Sequence, residues 1–243
     1  MLIKIYNYKN IIAKYYYNKN YRFNLNKRLK WIKKYYAPQK RIFEVGSGSG
    51  LIKKIINNNV ITSDIKKNPF IDLIFDIDKS IIPKKFINYF DIIIFNHSLH
   101  HSKNPIEAIK KVKSMLVNNG LIIINEPETS IIFKLFLLIF KHERYDDNKK
   151  NNKNFWFENN STGKILFQKK RVNDFFLKDF RILENRLSEF LIFLNSGGGG
   201  VDAPHIKLNF FLLEIIDSFD NFLIKYFPGL FALNRTIIMS KIK

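Results

Sequence analysis

A short apolar run carrying Glu44 leads into glycines at positions 46, 48 and 50, and the apolar, basic run Leu51 to Ile56 follows. This is the pattern of a buried strand, a tight turn and a helix. Glycine in such a turn lets a ligand come close to the main chain. The first turn of the helix offers free N–H groups and a positive dipole end to a carboxylate or phosphate. Gly46, Ser47 and Gly48 are therefore the floor of a candidate small-molecule cradle. Two further acids stand at strand ends. Val60-Ile61-Thr62-Ser63 closes on Asp64, eighteen residues beyond Gly46, where a doubly wound sheet offers an acid to the ribose of a nucleoside. A plain turn residue ahead of Ile65-Lys66-Lys67-Asn68-Pro69 is the other reading. Ile71 to Asp76 repeats the strand-then-acid pattern. Phe90 to Phe95 then runs into Asn96-His97-Ser98-Leu99-His100-His101, which puts imidazoles at the edge where ligands bind in such sheets. These rings, with His142 and Glu143, are the candidates for moving a proton. The pair His100-His101 also fits a turn in which one ring caps and the other packs beneath. No spacing of His and acids supports a metal site.

The elements that position these groups alternate strand and helix. After a Lys-, Asn- and Tyr-rich stretch over 1–20, read as a mobile arm or short docking helix, apolar spacing predicts a helix from Tyr21 to Tyr36, stopped by Pro38. Strands are expected at 42–45, 60–64, 71–76, 90–95 and 121–125. Only about six residues separate the second and third, too few for the usual crossover of a dozen or so, so an irregular crossover is required. Pro105 to Leu116 reads as an amphipathic helix stopped by Asn118-Asn119-Gly120. Ile131 to Phe140 reads as an apolar helix. Residues 142–162 form a long loop whose Phe155-Trp156-Phe157 suggests an ordered lid or substrate wall. A helix over 175–180 leads to a strand near Arg181 to Leu187. Ser196 to Gly200 is a hinge or tight loop, and Asn234 to Ile242 a closing strand. From Phe210 to Ile224, Glu214, Asp217, Asp220 and Asn221 form a polar stripe on a greasy helix. It reads as core-facing, because a membrane-surface helix carries Lys or Arg on its polar face.

Composition narrows the class. The chain has 243 residues and is 46% apolar, enough for one domain with a sizeable core. With no cysteine, disulfides and thiolate metal sites are excluded. The first residues lack the pattern of a signal peptide, and the run Ile131 to Phe140 is too short for a bilayer, which takes about 20 residues. The expectation is a cytoplasmic protein, with peripheral membrane contact open. Net charge is +20, and residues 1–41 hold twelve Lys and Arg and no acid. One reading is attraction to an anionic membrane surface, a lipid-linked phosphate or a nucleic acid. The other is a codon bias that favours Lys, Asn, Ile, Phe and Tyr together. Nucleic acid is not the expected partner.

The ordered set Glu44-Val45-Gly46-Ser47-Gly48-Ser49-Gly50, Asp64, Asp76, Phe90-Asp91-Ile92-Ile93 with Leu99-His100-His101, Asn119-Gly120 and Glu126-Pro127 resembles the class I S-adenosylmethionine-dependent methyltransferases. It looks most like the group with a Leu-His-His turn after strand four. The resemblance covers roughly residues 28–130 and the closing strand. It implies an α/β, Rossmann-like, doubly wound sheet of seven strands, the last antiparallel, with helices on both faces. It implies a single domain: a basic arm and helix (1–40), a cofactor-binding core (41–128), an acceptor-side insertion with helices (129–232) and a closing strand (233–243). Gly46, Ser47 and Gly48 would lie beneath the amino-acid part of S-adenosylmethionine, with Glu44 towards its amino group. Asp64, with Ile65 beside it, would hold the ribose. Asp76 and Ile77 would meet the adenine, and Asn96 would flank the cofactor. An oxygen acceptor, such as a hydroxyl of a small molecule, a glycan or a lipid-linked sugar, would use a base among His97, His101 and His142. Lys141-His142-Glu143, Trp156-Phe157 and Ser196-Gly197-Gly198 more faintly resemble methyltransferases encoded with surface-polysaccharide synthesis. Two rivals remain. A nicotinamide-dependent oxidoreductase of similar fold wants Gly-x-Gly-x-x-Gly, whereas Leu51 stands where its last glycine belongs. A non-catalytic binding protein on the same fold is the other.

Overall fold

The computed structural model describes residues 8–56, 59–140, 144–146, 155–168, 176, 178–198 and 203–242. Its strands are β1 (Ile42–Val45), β2 (Val60–Asp64), β3 (Leu73–Ile74), β4 (Phe90–Asn96), β5 (Leu116–Pro127), β6 (Phe180–Ser188) and β7 (Asn234–Lys241). They form one seven-stranded sheet in the order β3-β2-β1-β4-β5-β7-β6. β1 to β5 are parallel where they pair, and β7 runs antiparallel to both β5 and β6. The chain leaves β1 towards β2 and β3, then returns to β4 on the other side of β1. That reversal opens a crevice at the C-terminal ends of β1 and β4.

The sheet is apolar on both faces because helices cover both. Phe43, Ile93, Phe95, Ile122 and Ile124 pack on one side with α4 (Pro105–Lys113) and α6 (Thr162–Phe167). Ile42, Ile92, Ile94 and Ile123 pack on the other against α1 (Tyr8–Tyr17), α2 (Lys19–Lys30) and α3 (Ile52–Ile55). Local chemistry sets the ends of α4. Asn104 accepts from the Glu107 N–H at its start, Pro105 occupies the first turn, and Lys110, Lys111 and Lys113 close the last. A smaller core joins α5 (Ile131–Phe140), α7 (Leu191–Leu194), α8 (Phe210–Tyr226) and α9 (Pro228–Phe231) through Phe133, Leu137, Phe190, Ile224 and Leu233. None of the described helices is long and apolar enough to cross a membrane.

Several elements differ from the sequence expectation. Of the two readings of 1–20, residues 8–17 take the short docking helix and not the loose arm: Ile11 is buried in the core, and the Lys14 ammonium bonds the Gly197 carbonyl. The predicted third strand shrinks to Leu73–Ile74. Asp72 turns its carboxylate onto β2, where it accepts from the Thr62 N–H at 2.8 Å and hydroxyl at 3.0 Å, and from Lys53 at 2.6 Å. These bonds tie β3 to β2 and α3 without a crossover helix. Burial pulls the Asp72 carboxyl upward, but Lys53 and Thr62 outweigh it and hold it below the usual range. The helix after the glycine turn has only four residues, so its dipole contributes little, and the N–H groups of Ser47, Gly48 and Gly50 are already bonded within the chain. Helix α4 ends at Lys113, and the predicted stop at Asn118 to Gly120 lies inside β5. There the ladder slips: Phe90 pairs with Leu116, while Ile92 pairs with Leu121. Asn119, at φ 59, takes the left-handed turn. In the segment expected as a helix over 175–180, the described residues Phe176, Lys178 and Asp179 lie in turns and Phe180 already belongs to β6. In the aromatic triplet Phe155 is buried and Trp156 packs on the main core, while Phe157 is exposed.

Helix α8 packs on the core as expected, but with its acids on the inner side. Its polar stripe faces the protein: Lys27 bridges Glu214 and Asp217, each at 2.9 Å. Asp220 accepts from the N–H groups of Phe190, Leu191 and Ile192, all at 3.0 Å. Burial raises the Asp220 carboxyl to about 6 against those three donors. Leu213 and Ile224 give α8 a buried apolar side, while a second apolar stripe of Phe211, Ile215, Phe219, Phe222 and Tyr226 faces solvent.

The basic N-terminal segment is also turned inward. Lys27, Arg28, Lys34, Lys40 and Arg41 pair with acids of the later chain: Glu214 and Asp217, Glu189, Glu184, and Asp91. The Arg28 fork donates to both oxygens of Glu189 at 2.7 and 2.6 Å, and both side chains are at most 10% exposed. Arg28→Met leaves that carboxylate buried and alone. It should lower unfolding stability by about 3–5 kcal/mol, measured by urea titration, with part of the loss restored in Arg28→Met/Glu189→Met. A single-variant loss near zero would mean that water reaches the pair.

Candidate active site

The site lies where the turns after β1 and β4 meet. Gly46 and Gly48 have φ of 69 and 54, in the left-handed region that glycine enters without strain. A Cβ on Gly46 would sit 2.6 Å from the Cβ of Ser98, while one on Gly48 would meet nothing within 4 Å. Gly46 is thus required by the neighbouring turn, and Gly48 leaves open space above the main chain. The loop is held from below and beside. Ser47 N–H donates to the Ser63 carbonyl at 2.8 Å. The Ser98 hydroxyl donates to the Val45 carbonyl at 2.6 Å, and the Asn68 amide to the Gly48 carbonyl at 2.8 Å. Asp64 accepts from the Gly48 N–H at 2.8 Å and the Lys66 N–H at 3.1 Å. Ile65 beside it is exposed.

Glu44 stands on the sheet face opposite Phe43 and Val45. In the ladder it pairs with Ile94, so Asn96, two residues on, shares its face. Both are acceptors near the sheet edge, and both hold a buried oxygen that no hydrogen bond satisfies, Oε2 of Glu44 and Oδ1 of Asn96. Buried polar atoms are rarely left so. Burial raises the Glu44 carboxyl to about 7; Ser47 pulls it back and Asp64 pushes it further up. Two buried, unsatisfied acceptors beside an open glycine form a site for a cationic donor such as an ammonium. Asp76 and Ile77 lie on the neighbouring loop. Asp76 accepts from the Asp78 N–H at 2.9 Å, and Ile77 packs against the main core. Asp78 pins this loop to the turn after β4, taking the Ser102 hydroxyl at 2.6 Å and the Lys103 N–H at 3.0 Å. The acid-rich Asp76 to Asp78 loop gave no sequence signal for that role.

The turn after β4 is built on Glu126. Its Oε1 accepts the N–H groups of Ser98 at 3.1 Å and Leu99 at 2.8 Å, and its Oε2 lies 2.5 Å from His100 Nδ1. His100 is buried and its ring lies against exposed His101, centroids 4.2 Å apart. So His100 fixes the turn, and His101 is presented from it. His97 has φ 53, and its Nε2 lies 2.9 Å from the Asn234 amide oxygen. The Asn234 amide nitrogen faces the hydroxyls of Ser188 and Thr236, which orients its oxygen to accept. Nε2 therefore carries the proton, and Nδ1 is the basic nitrogen of the ring. His142 and Glu143 lie outside the described residues. Among the described residues no group of His and acids is arranged to hold a metal ion.

Three comparisons bear on this arrangement. A family model described as a methyltransferase domain matches residues 16–174. No curated protein matches the sequence. Solved structures of similar fold include a SAM-dependent methyltransferase from Archaeoglobus fulgidus, at 16% identity and TM-score 0.51, over 90% of this chain and 94% of that one. Phosphoethanolamine N-methyltransferase 2 from Haemonchus contortus, in complex with S-adenosyl-L-methionine, is 13% identical with TM-score 0.53. It spans 99% of this chain, which covers 58% of its length. The cyclase SpnF, at 12% identity and TM-score 0.51, covers 89% of this chain and 80% of its own. A fold shared with a cyclase does not by itself name a reaction.

The Glu44 carboxyl makes a prediction that needs no ligand. Its folded value near 7 lies above its ordinary 4.5, so the folded chain holds this proton more tightly than the unfolded one. The stabilisation is complete below the ordinary value and lost as pH rises to the folded value. Between pH ~4.5 and ~7.5 the wild type should therefore lose roughly 3 kcal/mol relative to Glu44→Gln. Urea unfolding of both proteins across that range measures it, and parallel curves would place Glu44 in water.

Proposed function

The chain belongs to the methyltransferase-domain family, and from that premise we propose that it binds S-adenosylmethionine and methylates an oxygen of a small molecule, glycan or lipid-linked sugar. The observation that carries the proposal is the pair of unsatisfied buried acceptors, Glu44 and Asn96, beside the open main chain at Gly48. The residues present fit the cofactor's functional groups. Glu44 and Asn96 suit its ammonium, and in the loop of Gly46, Ser47 and Gly48 the open space at Gly48 leaves room for its amino-acid part. Asp64 has acceptor capacity beyond the two N–H groups it already serves, as a ribose diol requires. Asp76, Ile65 and Ile77 border the space for the base. When bound, the cofactor supplies a sulfonium methyl already activated for displacement.

The chain's own work is positioning and proton handling. The Glu126 pins hold the turn after β4 rigid against Gly46, so the mouth keeps one shape. His97 is the favoured base towards an acceptor hydroxyl. Asn234 orients its ring through Nε2, and Nδ1 is the nitrogen proposed to take the proton. His101, presented from the same turn, is the second candidate. Nucleic acid is not the partner proposed: much of the basic charge on the first 41 residues is spent on pairs within the chain.

Calorimetry with S-adenosylmethionine and S-adenosylhomocysteine tests the cofactor reading, and absence of heat with both would end it. Asp64→Ala should weaken binding by roughly 1.5–3 kcal/mol. An unchanged affinity would move the ribose contact elsewhere. Binding without methyl transfer to any fraction of a cell extract would favour a non-catalytic member of the family.

A further inference from the structure

The outward face of α8 has no partner. Phe211, Ile215, Phe219, Phe222 and Tyr226 recur at spacings of four and three along the helix, and each is about half exposed or more, with Phe211 at 71%. Such spacing makes one continuous stripe. Helix α5, which leaves the catalytic edge after β5 and packs on the same small core, carries a second stripe in Ile131, Leu135, Leu138 and Ile139. Monomers seldom expose contiguous apolar surface of this kind without a use for it.

We propose that the α8 stripe, with that of α5, docks on an anionic phospholipid bilayer. Two observations choose this occupant. First, every acid of α8 is turned away from the stripe: Glu214 and Asp217 are bridged by Lys27, and Asp220 is committed to three main-chain N–H groups. The charges beside the stripe are cationic, with exposed Lys207 preceding the helix and exposed Lys225 over the Tyr226 ring. Aromatic side chains flanked by lysines suit the lipid headgroup boundary. Second, the chain carries a net charge of +20. That charge opposes the approach of a second copy and favours an anionic surface. The docking face involves none of the cofactor-site residues, so this proposal and the proposed activity fail separately.

The test uses the full chain with phosphatidylcholine vesicles, with and without phosphatidylglycerol. Wild type should float with the anionic vesicles and poorly with the neutral ones. Phe219→Ser/Phe222→Ser, at exposed positions that leave the fold in place, should reduce flotation at least about tenfold. Phe219→Trp adds a direct reporter. Its fluorescence should shift to the blue and be quenched by brominated lipid in anionic vesicles. Three results would overturn the proposal: no flotation of wild type, equal flotation of the double variant, or an unchanged Phe219→Trp spectrum at saturating vesicles. Self-association in sedimentation that the double variant abolishes would overturn it too, by assigning the face to a second copy.

Discussion

The contact between Gly46 and Ser98 governs the architecture of the site. The turn after β1 and the turn after β4 occupy one edge, and even a single methyl at Gly46 would collide with the Ser98 side chain. Each turn is therefore shaped by the other. Glu126 sets the β4 turn through two N–H groups and His100, and Ser98 then bonds back to the Val45 carbonyl. Asp64 and Asn68 close the β1 turn from the β2 side. A ligand at this crevice meets a mouth whose walls cannot move independently, which is the preorganisation that a positioning enzyme needs.

The regular core and the sheet edge that carries the glycine turn were legible because they rest on short-range rules. Apolar runs that end in an acid and then meet glycine or a turn identify β1, β2, β4 and β5 with little ambiguity. The antiparallel β7 came from resemblance, as pattern alone does not give strand direction. What was hidden depends on partners far along the chain. Asp72 reads as one more residue of a strand until Thr62 and Lys53 come to it. Asp78 looks like any turn acid until Ser102 arrives. The four-residue α3 is too short for periodicity to measure, so the sequence overstated the helix and its dipole.

Helix α8 shows a deeper limit. Amphipathicity tells which residues share a face and not which face is inside. The usual assignment buries every apolar residue, and here it holds only for Leu213, Ile224 and their neighbours, because the acids share that inner face. Lys27 brings a cation to Glu214 and Asp217. The short helix α7 starts with three main-chain N–H groups that would otherwise be left unpaired under Asp220. The same partners explain the N-terminal segment, whose run of cations looks like a docking arm in sequence and serves in large part as a clasp for distant acids.

The chain holds 41 bases and 21 acids, so an acid is the scarcer and more informative residue. The acids with defined contacts are committed to fixed tasks. Asp72 and Asp91 bind main-chain N–H groups and cations together. Glu128 and Glu189 meet buried arginines, and Glu126 and Asp220 gather N–H groups. Glu44 breaks this rule: it is buried and one of its oxygens is left unsatisfied. In a protein with cations to spare, a buried carboxyl with no cation paired to it among the described residues is the exception, and it is the observation on which the proposal of a cationic ligand rests. The same scarcity leaves the surface cationic, because so many acids are drawn inward. Glu44 thus stands apart, a buried carboxyl with no described cation beside it in a chain whose surface stays cationic even with Glu107 and Asp72 exposed on it.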